Sequence, residues 1–257
     1  MRSKTALVTG AASGIGLAIG NDLCRQGFTV WYSDISLQDA ESAASVSIAK
    51  GFNAHAIKLD VTSESDINYV VEQLVEHGGY LDILINNAGI QHVARLEDFP
   101  VDRWKLITEI LLIGPAMLCR ALLPLMRQQN FGRIINVGSI HSLIASPHKS
   151  AYVAAKHGLL GFSKVVALET SDQNITINTL CPSYVKTPLV EQQIASQAKV
   201  HGISEEDVIN KIMLEPMPKK SFIDMDELSA AVNYLVSDAA RNMTGQELVI
   251  DGGWTIK

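Results

Sequence analysis

The sequence has few cysteines and no excess of positive charge. Its three cysteines, Cys24, Cys119 and Cys181, are scattered over 257 residues without a CxxC pair. This spacing excludes a zinc-ribbon pattern, disfavours a disulfide framework and favours a reducing compartment; no metal site is predicted. The formal net charge is -6, which argues against a nucleic-acid partner because phosphates require a basic face.

Long apolar runs are also missing. The longest, residues 110–119, ends before Arg120 and is too short to span a membrane. At the chain start, three apolar residues precede a polar, glycine-rich turn, which is too few for the core of a signal peptide. Because 47% of the residues are hydrophobic and 19% are charged, the chain can bury a large core, and we expect one cytoplasmic domain over residues 1–257.

Short apolar runs alternate with longer segments of helical periodicity. The predicted strands are residues 4–9, 28–33, 54–59, 81–86, 133–137, 174–180 and 248–250. Several are apolar on both faces, which is typical of a sheet covered by helices on both sides. Because strand–helix alternation implies parallel pairing through right-handed crossovers, the pattern predicts an α/β fold with a doubly wound, Rossmann-type sheet of seven parallel strands.

Residues 187–225 form the one irregular region. The segment is polar, carries Pro188, Pro216 and Pro218, and lies between the sixth and seventh predicted strands. Residues 189–200 and 204–214 within it are helix-prone. We predict a helical lid over the carboxyl ends of the strands, where ligands bind in such sheets; a plain surface excursion is the alternative.

A glycine-rich turn follows the first predicted strand and leads directly into a helix. Glycine permits a sharp turn, and a helix N-terminus offers free N–H groups to a pyrophosphate. The spacing differs from GxGxxG, so the turn alone is a weak signal that its position strengthens. The residues predicted to bind a dinucleotide here are Gly10, Ser13, Gly14, Ile15 and Gly16.

Acidic residues end the next two predicted strands. Asp34 can accept hydrogen bonds from the adenosine ribose and would repel a 2′-phosphate, and no basic residue lies nearby in sequence, so NAD is predicted rather than NADP. Capping of the following helix is the alternative role. Asp60 and Val61 are placed to border the adenine, although Asp60 could equally cap a helix.

Four motifs in a fixed order carry a family resemblance. They are the Gly10-Gly14-Gly16 turn, Asn86-Asn87-Ala88-Gly89 after the fourth strand, Ser139 after the fifth, and Tyr152-Val-Ala-Ala-Lys156. Tyr152 and Lys156 are four residues apart on a predicted helix and share one face. With these motifs the chain resembles the short-chain dehydrogenase/reductase family over essentially its whole length.

The resemblance implies hydride transfer between NAD and an alcohol or ketone. Tyr152 would be the general acid/base, Ser139 would bind the substrate oxygen, and Lys156 would act beside Tyr152. A neighbouring ammonium and the positive nicotinamide both favour the phenolate, so we expect the pKa of Tyr152 to fall from about 10. The further cofactor-binding residues that the resemblance implies are Asn87, Ala88, Gly89, Pro182, Val185 and Thr187, together with Tyr152 and Lys156 themselves.

Leu111 departs from the family pattern. The family usually places an asparagine here, in the helix after the fourth strand, where it helps a water molecule link the lysine to solvent. Leucine cannot hydrogen-bond that water, so we expect a rerouted or weakened proton relay, and we expect Gly114-Pro115 to bend the helix. The departure keeps one alternative open, an NAD(H)-binding sensor with an impaired active site.

Several segments resemble the branch of this family that interconverts D-3-hydroxybutyrate and acetoacetate: residues 132–141, 151–158, 187–193 and 251–254. That resemblance implies a small anionic substrate and a homotetramer. The implied substrate residues are Gln91, Ser139, His141, Lys149, Tyr152, Tyr184, Gln193 and Trp254. Long polar side chains, one of them positively charged, suit a short anion, although each alone could be a solvated loop residue. A reductase of 3-oxoacyl or sugar substrates is the alternative.

Two residues of this set carry their own alternatives. The branch has tryptophan where this chain has Tyr184, whose ring can still line the pocket while its hydroxyl adds polarity. Trp254 is either a core anchor or, as the resemblance implies, part of a neighbouring subunit's pocket.

Overall fold

The central sheet has seven strands. The structure is a computed structural model that describes residues 3–256, apart from the side chains at positions 189, 196, 200 and 201. The strands are β1 (Thr5–Thr9), β2 (Thr29–Asp34), β3 (Ala54–Lys58), β4 (Ile83–Asn86), β5 (Gly132–Val137), β6 (Ile175–Pro182) and β7 (Glu247–Ile250). All neighbours pair in parallel, in the order β3-β2-β1-β4-β5-β6-β7. The predicted fold class is therefore confirmed.

The strand order reverses between β1 and β4. The strand β1 pairs with β2 on one side and with β4 on the other, and the remaining strands continue outward from each. In sheets of this kind, ligands bind outside the carboxyl ends of the strands at the reversal. The site is therefore expected beyond Thr9 and Asn86, the last residues of these two strands.

Helices cover both faces of the sheet. They are α1 (Gly14–Arg25), α2 (Leu37–Ala49), α3 (Glu64–Glu76), α4 (Val101–Thr108), α5 (Gly114–Gln128), α6 (Ser150–Glu169), α7 (Pro188–His201), α8 (Glu205–Val208) and α9 (Met225–Val236). Ala6 and Val8 of β1 belong to the core beneath α1, α2 and α9, whereas Leu7 belongs to the core beneath α3, α5 and α6. Successive side chains of a strand point to opposite faces, so an apolar strand supplies both cores.

Helices α4 and α5 form one helical run, Val101–Gln128, joined by a π-helical turn at Glu109–Ile113. By length and composition alone this run could cross a membrane. Its side chains Leu118, Leu122 and Met126 are buried in the core beside the sheet. We therefore assign it as a core helix of the fold.

The segment 187–225 contains two helical pieces close to those predicted: α7, and α8 followed by a second π-helical turn at Ile209–Met213. A small core of its own consists of the buried residues Val190, Ile194, Val208 and Met213. Its two ends meet near the end of β6, where Val185 pairs with Ile223. The segment thus begins and ends beside the expected site.

Candidate active site

A cavity of about 290 Å³ opens at the carboxyl ends of the central strands. The predicted site residues that line it are Gly10, Ser13, Gly14, Ile15, Asp34, Asn87, Ala88, Gly89, Gln91, Ser139, His141, Lys149, Tyr152, Lys156, Pro182, Tyr184, Val185, Thr187, Gln193 and Trp254. Gly16, Asp60 and Val61 lie outside these walls. The structure therefore brings the predicted catalytic and substrate residues, and most of the predicted cofactor residues, to one place.

The glycine-rich turn after β1 packs too closely for side chains. Gly10 has a φ of +61°, and a Cβ there would lie 2.9 Å from the Cα of Ala88. A Cβ on Gly16 would lie 2.4 Å from the Gly10 carbonyl oxygen, so Gly16 supports the turn without lining the cavity. Ser13, the N-cap of α1, makes no side-chain capping bond. The N–H groups at the start of α1 are therefore available to phosphate oxygens, and this cradle fits a dinucleotide.

The turn after β4 fastens the glycine-rich turn. Asn87 Nδ2 donates to the carbonyl oxygens of Thr9 and Gly10, each at 3.0 Å. The Thr9 hydroxyl in return accepts the backbone N–H groups of Asn87 and Ala88, at 2.9 and 3.0 Å. The second motif thus holds the first in place.

Asp34 lies at the end of β2, against the glycine-rich turn. Its carboxylate accepts the N–H groups of Ala12 and Ser36, both at 3.3 Å. The N-cap of α2 is Ser36, whose hydroxyl accepts the N–H of Asp39, so the capping role considered for Asp34 is wrong. The carboxylate instead gives this part of the cavity a negative group.

Asp60 and Val61 follow β3, but their contacts are with residues outside the cavity wall. Asp60 Oδ1 accepts the backbone N–H and the hydroxyl of Thr62, at 2.9 and 2.7 Å. Ser63 is the N-cap of α3, so the capping alternative for Asp60 is wrong as well. Val61 is buried, and a Cβ on Gly114 would lie 2.8 Å from the Val61 carbonyl oxygen. Their predicted role beside the adenine stays a prediction.

Tyr152 and Lys156 share one face of α6 and reach the end of β5. The Lys156 ammonium donates to the Val137 carbonyl oxygen at 2.5 Å and lies 5.7 Å from the centre of the Tyr152 ring. Burial raises the pKa of Tyr152 to about 12, although a hydrogen bond from Ser139 opposes the rise. Burial also lowers the pKa of Lys156 to about 8. Burial thus outweighs the hydrogen bond from Ser139, and the fall expected beside a positive nicotinamide stays a prediction.

Ser139 is held by two residues that the sequence analysis missed. Its backbone N–H donates to the Ser142 hydroxyl at 3.3 Å. Gly138 lets the chain pass close to β6, because a Cβ there would lie 2.6 Å from Thr179 Cγ2. A serine three residues after Ser139 is the one sequence signal that could have indicated this capping arrangement.

Leu111 lies in the π-helical turn between α4 and α5 and lines the cavity, 1% exposed. The Gly114 N–H donates to the Glu109 carbonyl oxygen, five residues back. Pro115 has no N–H, so the Leu111 carbonyl oxygen cannot receive the usual bond from four residues ahead. A π-helical turn therefore precedes Gly114-Pro115, and the bend expected there stays a prediction.

Lys149 is a buried ammonium in the cavity wall, 7% exposed. Its Nζ donates to the Tyr184 hydroxyl at 3.3 Å. It forms no ion pair with any carboxylate in the described part of the chain. Burial lowers its pKa to about 8, so the group stays mostly protonated at neutral pH. A buried cation without a counterion indicates that this part of the cavity accepts an anion.

Two glutamines complete the polar wall. Gln193 comes from α7 and Gln91 from the turn after β4. The Gln91 Oε1 is buried and has no hydrogen-bond partner among the described residues. A buried amide with unused hydrogen-bonding capacity is suited to binding a polar ligand group.

Trp254 lines the cavity of its own chain and packs against the core beneath α1, α2 and α9, which agrees with the core-anchor alternative. Its part in a neighbouring subunit's pocket stays a prediction. Its ring is tilted by 39° against Tyr184, at 5.7 Å between centres, and contacts His141 edge-on at 6.3 Å. Asp251 holds the preceding turn by accepting the N–H groups of Gly253 and Thr255, at 2.8 and 2.7 Å. Asp251 is therefore a further residue that the sequence analysis missed.

Comparison with known proteins agrees with this geometry. The profile described as enoyl-(acyl carrier protein) reductase matches residues 10–255. The D-beta-hydroxybutyrate dehydrogenase of Rhizobium meliloti (strain 1021) is 42% identical over 98% of this chain and 99% of its own length. The protein of the same name from Cupriavidus necator is 43% identical over 99% of this chain and 98% of its own length.

A solved structure shares the architecture. The crystal structure of an actinorhodin polyketide ketoreductase with NADPH superimposes with a TM-score of 0.94 at 30% identity, covering 98% of this chain and 97% of that one. The motifs, the parallel sheet and these full-length similarities agree. The chain is an oxidoreductase that belongs to the short-chain dehydrogenase/reductase family.

Proposed function

We propose that this chain oxidises D-3-hydroxybutyrate to acetoacetate with NAD, and catalyses the reverse reaction. The observation that carries the proposal is Lys149, a buried ammonium that faces the same cavity as Tyr152 and has no carboxylate partner among the residues that the structure describes. A short hydroxy acid would supply the missing negative charge. The two bacterial dehydrogenases named for this substrate, at 42% and 43% identity, support the choice.

The cofactor proposed for this site is NAD. The glycine-rich turn and the start of α1 would hold the pyrophosphate, and Asp34 would accept hydrogen bonds from the adenosine ribose. Its carboxylate would also repel a 2′-phosphate, which disfavours NADP. When bound, NAD supplies a nicotinamide ring that takes up a hydride from an alcohol carbon or returns it to a ketone.

Tyr152 is proposed as the general acid/base. In oxidation, the Tyr152 oxygen takes the proton of the substrate hydroxyl while the carbon-bound hydrogen leaves with its electron pair, so the C–O bond becomes a carbonyl. In reduction the same hydroxyl returns the proton. Ser139 hydrogen-bonds the substrate oxygen and Lys156 places a positive charge beside Tyr152. Burial raises the pKa of Tyr152, which favours the phenol needed for reduction, and a positive charge beside the ring favours the phenolate needed for oxidation.

The substrate carboxylate is proposed to bind Lys149, with Gln91 and Gln193 as neutral hydrogen-bond donors. Tyr184 and Trp254 would enclose the short carbon chain between their rings. Such a pocket disfavours long acyl chains because its walls are polar. Segment 187–225 contributes Gln193 and is proposed as the lid over this pocket. For the assembly, we propose a homotetramer, and for the compartment the cytoplasm.

A comparison of three substrates tests the proposal. Initial rates of NAD reduction are measured with D-3-hydroxybutyrate, with its methyl ester and with 2-butanol, which has neither carboxylate nor ester. We expect kcat/KM to fall by at least about tenfold when the carboxylate is esterified, as expected for losing one charge-assisted contact. Equal kcat/KM values for the acid and 2-butanol would contradict the anion pocket.

A further inference from the structure

Tyr184 turns its hydroxyl toward Lys149 in the wall of the cavity. The Lys149 Nζ lies 3.3 Å from the Tyr184 hydroxyl oxygen and 5.4 Å from the centre of the ring. The ammonium therefore contacts the hydroxyl end of the side chain and not the face of the ring. Because an ammonium has N–H donors and no lone pair, the phenol oxygen must be the acceptor in this pair.

The proton of the Tyr184 hydroxyl is left for another acceptor. A phenol can accept and donate at the same time, and among the described residues the Lys149 ammonium is the one hydrogen-bond partner of this hydroxyl. Burial raises the pKa of Tyr184, so the hydroxyl keeps its proton at neutral pH. An O–H group in a cavity wall that donates to no protein acceptor is suited to binding an acceptor atom of a ligand.

Three other contacts fix the position of Tyr184. Its backbone carbonyl oxygen accepts the Ile223 N–H at 2.9 Å, where the two ends of segment 187–225 meet. Its ring packs against the small core of that segment and lies 5.7 Å from the Trp254 ring, between centres. These contacts use the backbone and the ring, so they hold the hydroxyl in place without using its proton. A donor held in this way loses little conformational freedom when a ligand binds.

We propose that the Tyr184 hydroxyl donates its proton to the substrate carboxylate, beside the Lys149 ammonium. An ionised carboxylate has lone pairs for both donors, and Tyr184 then selects acids over neutral alcohols in addition to lining the pocket with its ring. The branch that the sequence resembles has tryptophan at this position, whose indole N–H cannot accept a hydrogen bond from lysine, so the pair distinguishes this chain from that branch. The inference rests on the proposed function, because it takes the carboxylate at Lys149 as given.

A double-mutant cycle distinguishes a direct ligand from a residue that only orients Lys149. The KM for D-3-hydroxybutyrate is measured in the parent chain, in Tyr184→Phe, in Lys149→Met and in the double variant. Tyr184→Phe removes the oxygen and keeps the packed ring, so we expect KM to rise about tenfold. In the Lys149→Met background we expect the same change to raise KM by at least about threefold. No rise in that background would overturn the proposal, because a hydroxyl that only orients Lys149 would then have no function.

A substrate without a carboxylate separates hydrogen bonding from ring packing. For 2-butanol we expect kcat/KM in Tyr184→Phe to stay within about twofold of the parent value, because no carboxylate contact is lost. An equal fall in kcat/KM for 2-butanol and for the acid would overturn the proposal. Tyr234→Phe is the matched control, since Tyr234 is exposed on α9 and lies outside the cavity wall. It should change neither value.

Calorimetry measures the same contact without turnover. Butyrate has the carboxylate and the chain length of the substrate but no hydroxyl to oxidise, so it is titrated into the chain with NAD present. We expect the Kd for butyrate to be about tenfold higher in Tyr184→Phe than in the parent, and unchanged in Tyr234→Phe. An equal Kd in Tyr184→Phe, or no binding of butyrate by the parent, would overturn the proposal. If butyrate binds as expected and no hydroxy acid is oxidised, the proposed function fails while Tyr184 stays a carboxylate ligand.

Discussion

The Lys149 ammonium and the Tyr184 hydroxyl lie 3.3 Å apart in the cavity wall, and the hydroxyl is the hydrogen-bond acceptor for that ammonium. A phenol oxygen carries no charge, so it satisfies one N–H group without neutralising the cation. This pair therefore leaves a positive charge directed at the part of the cavity that we assign to the substrate carboxylate.

Replacement of this ammonium tests the anion pocket. Lys149→Met keeps the length of the side chain and removes the charge, so we expect KM for D-3-hydroxybutyrate to rise about tenfold to a hundredfold, as for loss of a charge-assisted hydrogen bond. The KM for the methyl ester should change little. Lys186→Met, at an exposed position after β6 that does not line the cavity, is the control. An equal rise for both substrates would mean that Lys149 supports the pocket structurally.

Lys149 should also reduce stability at neutral pH. Because its pKa is about 8 in the folded chain and 10.5 in ordinary lysine, the unfolded chain binds more protons between about pH 8 and pH 10.5. The resulting penalty is fully present below about pH 8 and disappears as the pH rises to 10.5, with a size of at most about 3 kcal/mol. In urea unfolding, Lys149→Met should be more stable than the parent at pH 7 and should lose most of that advantage by pH 10. A constant difference at all pH values would contradict the shifted pKa.

Asp34 should control the choice of cofactor. Asp34→Ala removes the carboxylate that we expect to bind the ribose, so kcat/KM with NAD should fall about tenfold while kcat/KM with NADP rises. Initial rates with both cofactors give the ratio. Asp39→Ala, which removes an exposed carboxylate from the first turn of α2, should leave the ratio unchanged. An unaltered ratio in Asp34→Ala would remove Asp34 from cofactor selection.

Replacing Leu111 by asparagine, the usual family residue, should lower the free energy of unfolding and should not raise kcat. Leu111 packs with Ile107, Ala151 and Ala155, so the amide of Leu111→Asn would be buried among apolar side chains. We expect a loss of about 1–3 kcal/mol in the free energy of unfolding. The Leu111 carbonyl oxygen, which has no N–H donor at Pro115, can hold a relay water without the side chain. A clear rise in kcat would instead show that the leucine impairs the proton relay.

Much of this molecule could be predicted because its chemistry lies in short local motifs. The turn that starts at Gly10, the Asn86-Asn87-Ala88-Gly89 turn and the pair Tyr152 and Lys156 each follow a strand or share a helix face, so the order of the strands brings them together. The role predicted for Lys149 rests on the family resemblance, which places a lysine three residues before Tyr152.

Other features depend on burial and on the path that the chain takes in three dimensions. The raised pKa of Tyr152 results from burial by several elements, which local spacing does not report. The bond between His141 and Ser146 depends on the path of the loop that joins them. Trp254 lies in its own chain's cavity because the turn held by Asp251 directs it there.

The most direct test of the central claim is the initial rate of NADH formation from NAD and D-3-hydroxybutyrate, measured beside the L-enantiomer and beside NADP. The account predicts saturable turnover with the D form and NAD, and at least about tenfold lower kcat/KM in either comparison. Absence of turnover with D-3-hydroxybutyrate, in a chain that binds NADH and reduces another ketone, would contradict the proposed substrate.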